Sequence, residues 1–224
     1  MISVIIPMYN EEEILSVNLI KFDNLSHDAE LIFVDGGSTD RSIELVSTRG
    51  NVFCCNKGRA IQMNYGAQHA RYNTLLFLHA DNIVSPETLL SIEKKLQVNG
   101  FIGGCLTQRI DKKGIIYRTI EAQGNTRARF SKVFYGDQGI FIKKDIFFKM
   151  GGFPEVPIME DVIFTKKLRK AGNTVILPDR ILVSPRRWEK RGIIKTTLLY
   201  SLIILLHKLG FPLEKIKCLY DDLR

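Results

Sequence analysis

Cysteine frameworks, repetitive tracts and long apolar runs are all missing from this sequence, and each absence removes a class of protein. There are four cysteines in 224 residues. Cys54 and Cys55 are adjacent, so in a strand their side chains point to opposite faces. With Cys105 and Cys218 they form neither zinc-like spacing nor a disulfide framework. Reduced thiols in a cytoplasmic protein are the expectation. No polar or low-complexity tract suggests disorder, and no internal repeat is visible. The N-terminus shows no basic n-region and no cleavage site, so no secretory leader is expected. One uncharged apolar stretch runs from Thr196 to Leu206. As a helix it would cover about 16 Å, against a hydrocarbon core of about 30 Å, so it cannot span a bilayer alone. It is either a buried helix or one lying at a membrane surface. No linker rich in Pro, Gly or Ser divides the chain, and a single domain over residues 1–224 is expected.

What is present is ordinary for a folded globular protein: 45% hydrophobic residues and a mean hydropathy near zero. The charge is not ordinary. Thirty-two basic and 24 acidic residues give +8, which favours an acidic partner such as nucleotide phosphates, nucleic acid or an anionic membrane. The excess is concentrated late, from Lys166 through Arg186 and Arg187 to Lys195. That region is either a solvated basic face or a binding face.

Three β-rich runs stop at polar residues. Ile2-Ser3-Val4-Ile5-Ile6-Pro7 leads into Tyr9, Asn10 and Glu11; Leu31-Ile32-Phe33-Val34 stops at Asp35; Leu75-Leu76-Phe77-Leu78 stops at His79-Ala80-Asp81. Each is followed by a helical pattern, which reads as parallel strands buried on both faces. In open α/β sheets the ligand crevice lies beyond the carboxyl ends of the strands. Asn10, Asp35 and Asp81 are therefore expected at one rim. Helices are predicted over Glu11–Phe22, from Lys57 to about Arg71, from Pro86 (capped by Ser85) to Gly100, over Ile115–Phe130 and over Ile158–Ala171, with further helices after Gly192 broken at Phe211-Pro212. Ser38 or Asp40 is expected to cap the helix after the second strand. Strands are predicted at Asn51–Cys55, Phe101–Gln108, Gln138–Lys143, Thr174–Leu177 and Ile181–Ser184.

The chain resembles the family 2 glycosyltransferases of the GT-A fold. The resemblance is carried by Val4-Ile5-Ile6-Pro7-Met8-Tyr9-Asn10-Glu11-Glu12, by Val34-Asp35-Gly36-Gly37-Ser38-Thr39-Asp40, by Leu78-His79-Ala80-Asp81 and by Glu160-Asp161, in that order. The nearest pattern is that of short bacterial members with His-Ala-Asp where most relatives carry Asp-x-Asp, and with Gly-Arg-Ala-x-Gln-Met-Asn after the third strand. The resemblance implies an α/β, Rossmann-like GT-A architecture: a mixed, mostly parallel sheet flanked by helices, with a C-terminal helical segment. It implies a nucleotide-sugar-binding half over 1–110, an acceptor half over 111–190 and C-terminal helices over 191–224.

The same resemblance implies an inverting enzyme that moves a sugar from a nucleotide-diphosphate sugar, UDP-linked by preference, to a hydroxyl acceptor. Asp161 would be the general base and Glu160 its support. Asp81 would bind a divalent ion, Mn²⁺ or Mg²⁺, which prefers oxygen ligands. Pro7, Asn10, Glu12, Asp35, Gly37 and Ser38 would hold base and ribose. A carboxylate can accept two hydroxyl hydrogen bonds from a ribose diol. Arg59 opens a helix at Gly58, where backbone N–H groups and a guanidinium suit a diphosphate, with Gln62 and Asn64 on the same helix. His79 replaces an acid and is a ligand, a hydrogen-bonding group or a strand-end filler. Arg187 and Trp188 are similar to the end of the Gln-x-x-Arg-Trp motif of processive members, but Ser184 stands where Gln would be. That departure argues against a polymer-extruding synthase. Arg187 would clamp the diphosphate and Trp188 would stack on a sugar.

Two rivals remain at this level. Nucleotidyltransferases also use α/β sheets and metal-binding acids, but they carry a basic Gly-rich loop after the first strand. Met8-Tyr9-Asn10-Glu11-Glu12-Glu13 is acidic there. A non-catalytic module binding anionic lipid through the late basic region is the other. No motif for binding nucleic acid is present. The expected location is cytoplasmic, in reach of the inner face of a membrane.

Overall fold

A computed structural model gives the structure, and it describes residues 1–98 and 100–221. Asn99 and the last three residues of the anticipated C-terminal segment lie outside the described residues. One eight-stranded sheet runs through the molecule. Its strands are β1 (Ile2–Met8), β2 (Ala29–Asp35), β3 (Asn51–Cys54), β4 (Thr74–Phe77), β5 (Asn82–Ile83), β6 (Phe101–Ile110), β7 (Ile140–Lys143) and β8 (Asn173–Val183). Their spatial order is β3-β2-β1-β4-β7-β6-β8-β5. β3, β2, β1 and β4 are parallel, as are β6 and β8, while β7 and β5 run against their neighbours. The sheet is mixed and mostly parallel, as expected.

The helices are α1 (Glu12–Ser26), α2 (Ser42–Val46), α3 (Arg59–His69), α4 (Pro86–Gln97), α5 (Ile115–Ser131), α6 (Lys144–Lys149), α7 (Glu160–Ala171), α8 (Arg186–Arg191), α9 (Ile193–Lys208) and α10 (Leu213–Asp221). Among the described residues no helix is long and apolar enough to cross a membrane. Alternation along β1 divides the core. Val4, Ile6 and Met8 pack with Leu15 and Phe22 of α1 and Leu89 and Ile92 of α4, while Ile5 packs on the other face with Met63 and Ala67 of α3. Gly66 lets α3 come close: a Cβ there would sit 2.6 Å from Ile5 Cγ2. Burial on both sides explains why the strand reads as a continuous apolar run.

The chain winds from β1 outward to β3 and then returns to β4 on the other side of β1. A reversal of this kind opens a crevice at the carboxyl ends of the strands. Register keeps those ends level, with Met8 beside Asp35, Ile5 beside Phe77 and Asp35 beside Cys54.

Three expectations need correction. The two short strands at 174–177 and 181–184 are one strand, β8. Pro178 has no N–H to donate and does not end it. The pairing with β6 slips between Cys105 and Thr107, and the Thr107 hydroxyl donates to Leu177 O at 2.7 Å. Ser85 stands at the N-terminus of α4, but its hydroxyl pairs with Thr88 Oγ1 and not with a backbone N–H. Of the two capping candidates, Ser38 caps no helix, its hydroxyl serving Asp35 and the Asn10 N–H, whereas Asp40 Oδ1 accepts from Ser42 N at 3.0 Å where α2 begins.

Candidate active site

A cleft of about 930 Å³ opens where the crevice was expected. A smaller cavity of about 320 Å³ lies at the opposite rim, near Thr74 at the start of β4. The large cleft collects Pro7 to Glu11 after β1, Lys57 to Gln62 at the start of α3, His79 to Asp81 after β4, Glu160 at the start of α7, and Arg186 and Arg187 of α8. Seven basic and four acidic side chains face it, so it favours an anion.

Three of the cleft's four acids, Glu11, Asp81 and Glu160, are held by a basic neighbour. Asp81 is 7% exposed, and its Oδ2 lies 3.6 Å from Arg186 Nε. The same guanidinium donates from Nη2 to Glu11 Oε2 at 2.8 Å. Arg186 thus ties the ends of β1 and β4 to α8. Glu160 is buried and pairs with Arg59 Nη1 at 3.3 Å. That pair joins the N-termini of α3 and α7 across the cleft. Arg187 Nη1 donates to Tyr220 Oη at 2.9 Å, so α10 helps to aim it.

Asp161 stands behind Glu160, half-buried. Its Oδ2 accepts from Gly136 N at 2.6 Å and its Oδ1 from Val162 N at 2.6 Å. Burial and the neighbouring Glu160 carboxylate push its carboxyl up to about 7, against the pull of those N–H groups and Arg59. His79 Nε2 flanks the same glycine: a Cβ on Gly136 would meet it at 2.6 Å and Asp161 Oδ2 at 3.4 Å. The helix begins at Glu160 through Met159, a non-glycine residue at φ 69°. A left-handed backbone there carries local strain next to the acid pair.

Of the residues singled out from sequence, Pro7, Asn10, Arg59, Gln62, His79, Asp81, Glu160 and Arg187 face the cleft. Asp161 sits immediately behind Glu160, and the remaining residues take scaffolding positions. Asp35 is 1% exposed, and its carboxylate accepts from Gly37 N at 2.7 Å, Ser38 N at 2.8 Å and the Ser38 hydroxyl. The carboxylate expected to face a ribose diol is occupied within its own turn, and Gly37 and Ser38 serve that turn. Glu12 accepts from Arg41 N at 3.2 Å and so fastens the loop beside α1. Asn64 clamps Phe153 by two bonds, donating to its carbonyl and accepting from its N–H at 2.9 Å each. Gln62 borders the cleft, but its Nε2 donates to Met8 O and Val34 O at 2.8 Å each, bridging the ends of β1 and β2. Trp188 is no sugar platform in this structure. It is buried with Ile110, Tyr117 and Val183 and lies edge-to-face with Tyr200. An apolar indole on a six-residue helix is drawn to the nearest core.

Sequence reasoning passed over Arg186, Gly136 and Asp137. Arg186 was visible only as one of several late bases. Gly136 and Asp137 form a 3₁₀ turn with no motif of their own. Burial raises the Asp137 carboxyl above its usual range, although Arg127, Arg187 and the Gln108 amide oppose the shift.

A divalent ion needs oxygen donors. Among the described residues no three His, Cys, Asp or Glu side chains converge on one point. Asp81 offers one buried carboxylate. Ions of the Mg²⁺ type are held by one or two carboxylates together with substrate phosphates and water, so Asp81 fits an ion that arrives with a diphosphate and not a fully caged one.

The fold and the cleft define a class: an α/β protein whose strand ends and helix starts gather acids and bases at one cleft. The family model for glycosyl transferase family 2 matches residues 3–154. The chain belongs to glycosyl transferase family 2. A Haemophilus influenzae protein described as an uncharacterized glycosyltransferase is 34% identical over 105 residues, 43% of this chain and 41% of its own length. The chain thus spans about two fifths of that relative. Among solved structures, S. aureus TarS 1-349 in complex with UDP-GlcNAc superposes with a TM-score of 0.64 at 18% identity, covering 82% of this chain and 58% of that one. The mannosyltransferase PcManGT from Pyrobaculum calidifontis, in complex with GDP-Man and Mn²⁺, gives 0.64 at 21% identity, covering 81% and 56%. The GT-A fold expected from the sequence is the fold these structures share with it.

Proposed function

We propose that this protein is an inverting glycosyltransferase, moving a sugar from a nucleoside-diphosphate donor, UDP-linked by preference, to a hydroxyl acceptor. The observation that carries this reading is the meeting of Asp81, from the end of β4, and Glu160, from the start of α7, at one basic cleft, with Asp161 directly behind Glu160 and beside the Gly136 that His79 flanks. The donor would lie against elements from residues 1–110 and the acceptor would enter beside residues 111–190. The UDP-GlcNAc and GDP-Man complexes of the structural neighbours support a nucleotide-sugar donor.

The reaction is a single displacement. The acceptor hydroxyl oxygen attacks the anomeric carbon, the bond from that carbon to the diphosphate oxygen breaks, and configuration inverts. Asp161 takes the acceptor proton. A carboxyl with its pKa near the working pH is suited to that task, and general-base catalysis is worth about 10²–10⁴ in rate. Arg59 and Arg187 face the leaving diphosphate, where guanidinium groups match its geometry. A divalent ion at Asp81 would neutralise the charge that grows on the departing diphosphate. The Mn²⁺ in the mannosyltransferase complex supports that assignment.

The test is release of nucleoside diphosphate by purified protein with a donor panel and Mn²⁺. Asp81→Ala and Asp161→Asn should each lower turnover by at least about 10². Unchanged turnover in both variants would remove the role assignments. Pyrophosphate release from a nucleoside triphosphate would favour nucleotidyl transfer.

A further inference from the structure

Helix α9 is apolar on two opposite sides, and only one of them has a partner. Its inward side carries buried Thr196 and Ile203, with Leu199, Tyr200, Ile204 and Leu206 packed towards Val162 of α7 and Ile216 of α10. Its outward side carries Ile194 (71% exposed), Leu198 (65%), Leu202 (43%) and Leu205 (51%). Leu209, just past its end, is 66% exposed and Phe211 is 48% exposed. The spacing from 194 to 209 advances by four, four, three and four residues. At about 100° per residue these five side chains fall within an arc of about 80°. They form one stripe along the helix, opposite Thr196 and Ile203.

The fold does not need this stripe, since the inward side already anchors the helix. A contiguous apolar surface of this kind marks an interaction site. The charges beside it say which one. Exposed Lys195 and Lys208 stand on its two edges, Lys190 and Arg191 precede it, and the helix contains no acidic residue. A second copy would bring the same lysines face to face, and like charges oppose that contact. An anionic bilayer complements both features. Leucines enter the boundary between headgroups and acyl chains while the flanking lysines meet the phosphates. Sixteen residues cover about 24 Å, short of the roughly 30 Å hydrocarbon core, so the helix lies on the surface and does not cross it.

We propose that the outward face of α9 docks this protein flat on an anionic lipid bilayer. The docking stands apart from the transfer reaction. Its link to the cleft is structural: Tyr200, on the inward side of the same helix, accepts a hydrogen bond from the cleft's Arg187 at 3.4 Å.

The experiment is vesicle sedimentation with the full chain. Phosphatidylcholine vesicles are compared with vesicles that also contain phosphatidylglycerol, at low and high salt. Binding is expected to the phosphatidylglycerol vesicles and to weaken as salt rises. The triple variant Leu198→Ser, Leu202→Ser, Leu205→Ser should lose at least about tenfold in vesicle affinity with its thermal midpoint retained. Lys195→Gln with Lys208→Gln should lose less. Absence of vesicle binding, or equal binding to neutral and anionic vesicles, overturns the proposal. So does a concentration-dependent dimer that the triple variant disperses without any vesicle binding, which would assign the stripe to a second copy. Donor turnover in solution, measured in parallel, should be the same for the triple variant and the wild type. Failure of the transfer reading would show there and leave the sedimentation result standing.

Discussion

The two walls of the cleft are built differently. The wall from residues 7–81 is stitched by side chains bonded to backbone: Asn10 accepts from Thr39 N at 2.8 Å, Gln62 reaches Met8 O and Val34 O, and Asp35 holds Gly37 and Ser38. The wall from residues 136–220 meets it through charge: Arg59 with Glu160, and Arg186 with Glu11 and Asp81. Side-chain-to-backbone bonds fix geometry before any ligand arrives. Ion pairs at a cleft can be exchanged for a charged ligand, because a diphosphate or a metal ion offers the same kind of partner. The first wall is a scaffold, and the second holds the groups able to respond to a ligand.

The largest effect should fall on the second wall. Asp161→Asn should cut turnover by about 10²–10⁴, read as nucleoside diphosphate release. The same variant tests the electrostatics. The Asp161 carboxyl is raised to about 7 in the folded protein, against about 3.9 in an unfolded chain. The folded state therefore holds this proton more tightly. The associated stability is fully present below about pH 4 and is lost as pH climbs through about 7. Wild-type protein should lose thermal stability relative to the variant between about pH 5 and pH 8. The slope of that difference is the readout, because the asparagine amide also costs a fixed amount by facing a backbone N–H. Wild-type kcat/KM should rise over the same range as the base loses its proton. A flat difference in stability and a flat rate profile would together remove Asp161 as the titrating base.

Gly136→Ala comes next. Its methyl would sit 2.6 Å from His79 Nε2, so the imidazole must move, while Asp161 Oδ2 at 3.4 Å is in ordinary contact. Overpacking of this kind costs about 1–3 kcal/mol, measurable by denaturant unfolding. Turnover should fall more than stability alone explains. Asn64→Ala tests the first wall. It leaves the Phe153 N–H and carbonyl without their partners, at a cost of about 1–3 kcal/mol. Turnover per folded molecule should change little, because Asn64 does not face the cleft. A collapse of turnover without a loss of stability would move Asn64 from scaffold to ligand contact.

The same division separates what the sequence made legible from what it did not. The strands were readable because burial on both faces demands unbroken apolar runs, as in Leu31 to Val34. Asp81 was readable because it follows such a run at the rim, and Glu160 because Glu160-Asp161 resembles the family's acid pair at a helix start. The scaffolding roles of Asp35, Gln62 and Asn64 were not. Polar residues near a rim look alike in sequence whether they face a ligand or a backbone carbonyl, and the partners of Asn64 lie 89 residues away. Trp188 was misplaced for a related reason. An indole beside two arginines suggests a platform, but its burial depends on Ile110 and Tyr117, which no local pattern connects to it. Arg186 was hidden by abundance, one base in a basic stretch.

Arg186 also supplies the smallest expected effect and the sharpest test of exchange. Its side chain is about a quarter exposed, at 26%, and the side chains of Asp81 and Glu11 are 8% and 22% exposed. Partly solvated ion pairs contribute only about 0–1 kcal/mol, so Arg186→Gln should barely move the thermal midpoint. The consequence for a cation is different. Arg186 Nε lies 3.6 Å from Asp81 Oδ2, so its guanidinium would compete with any cation that this carboxylate held. Removing the guanidinium frees the carboxylate. Mn²⁺ should then bind the protein–UDP complex a few-fold more tightly, by an amount within about 1 kcal/mol, as followed by the loss of the free-ion paramagnetic resonance signal. Weaker Mn²⁺ binding in Arg186→Gln would show that the arginine supports the site and does not compete for it. The second wall would then be as pre-formed as the first.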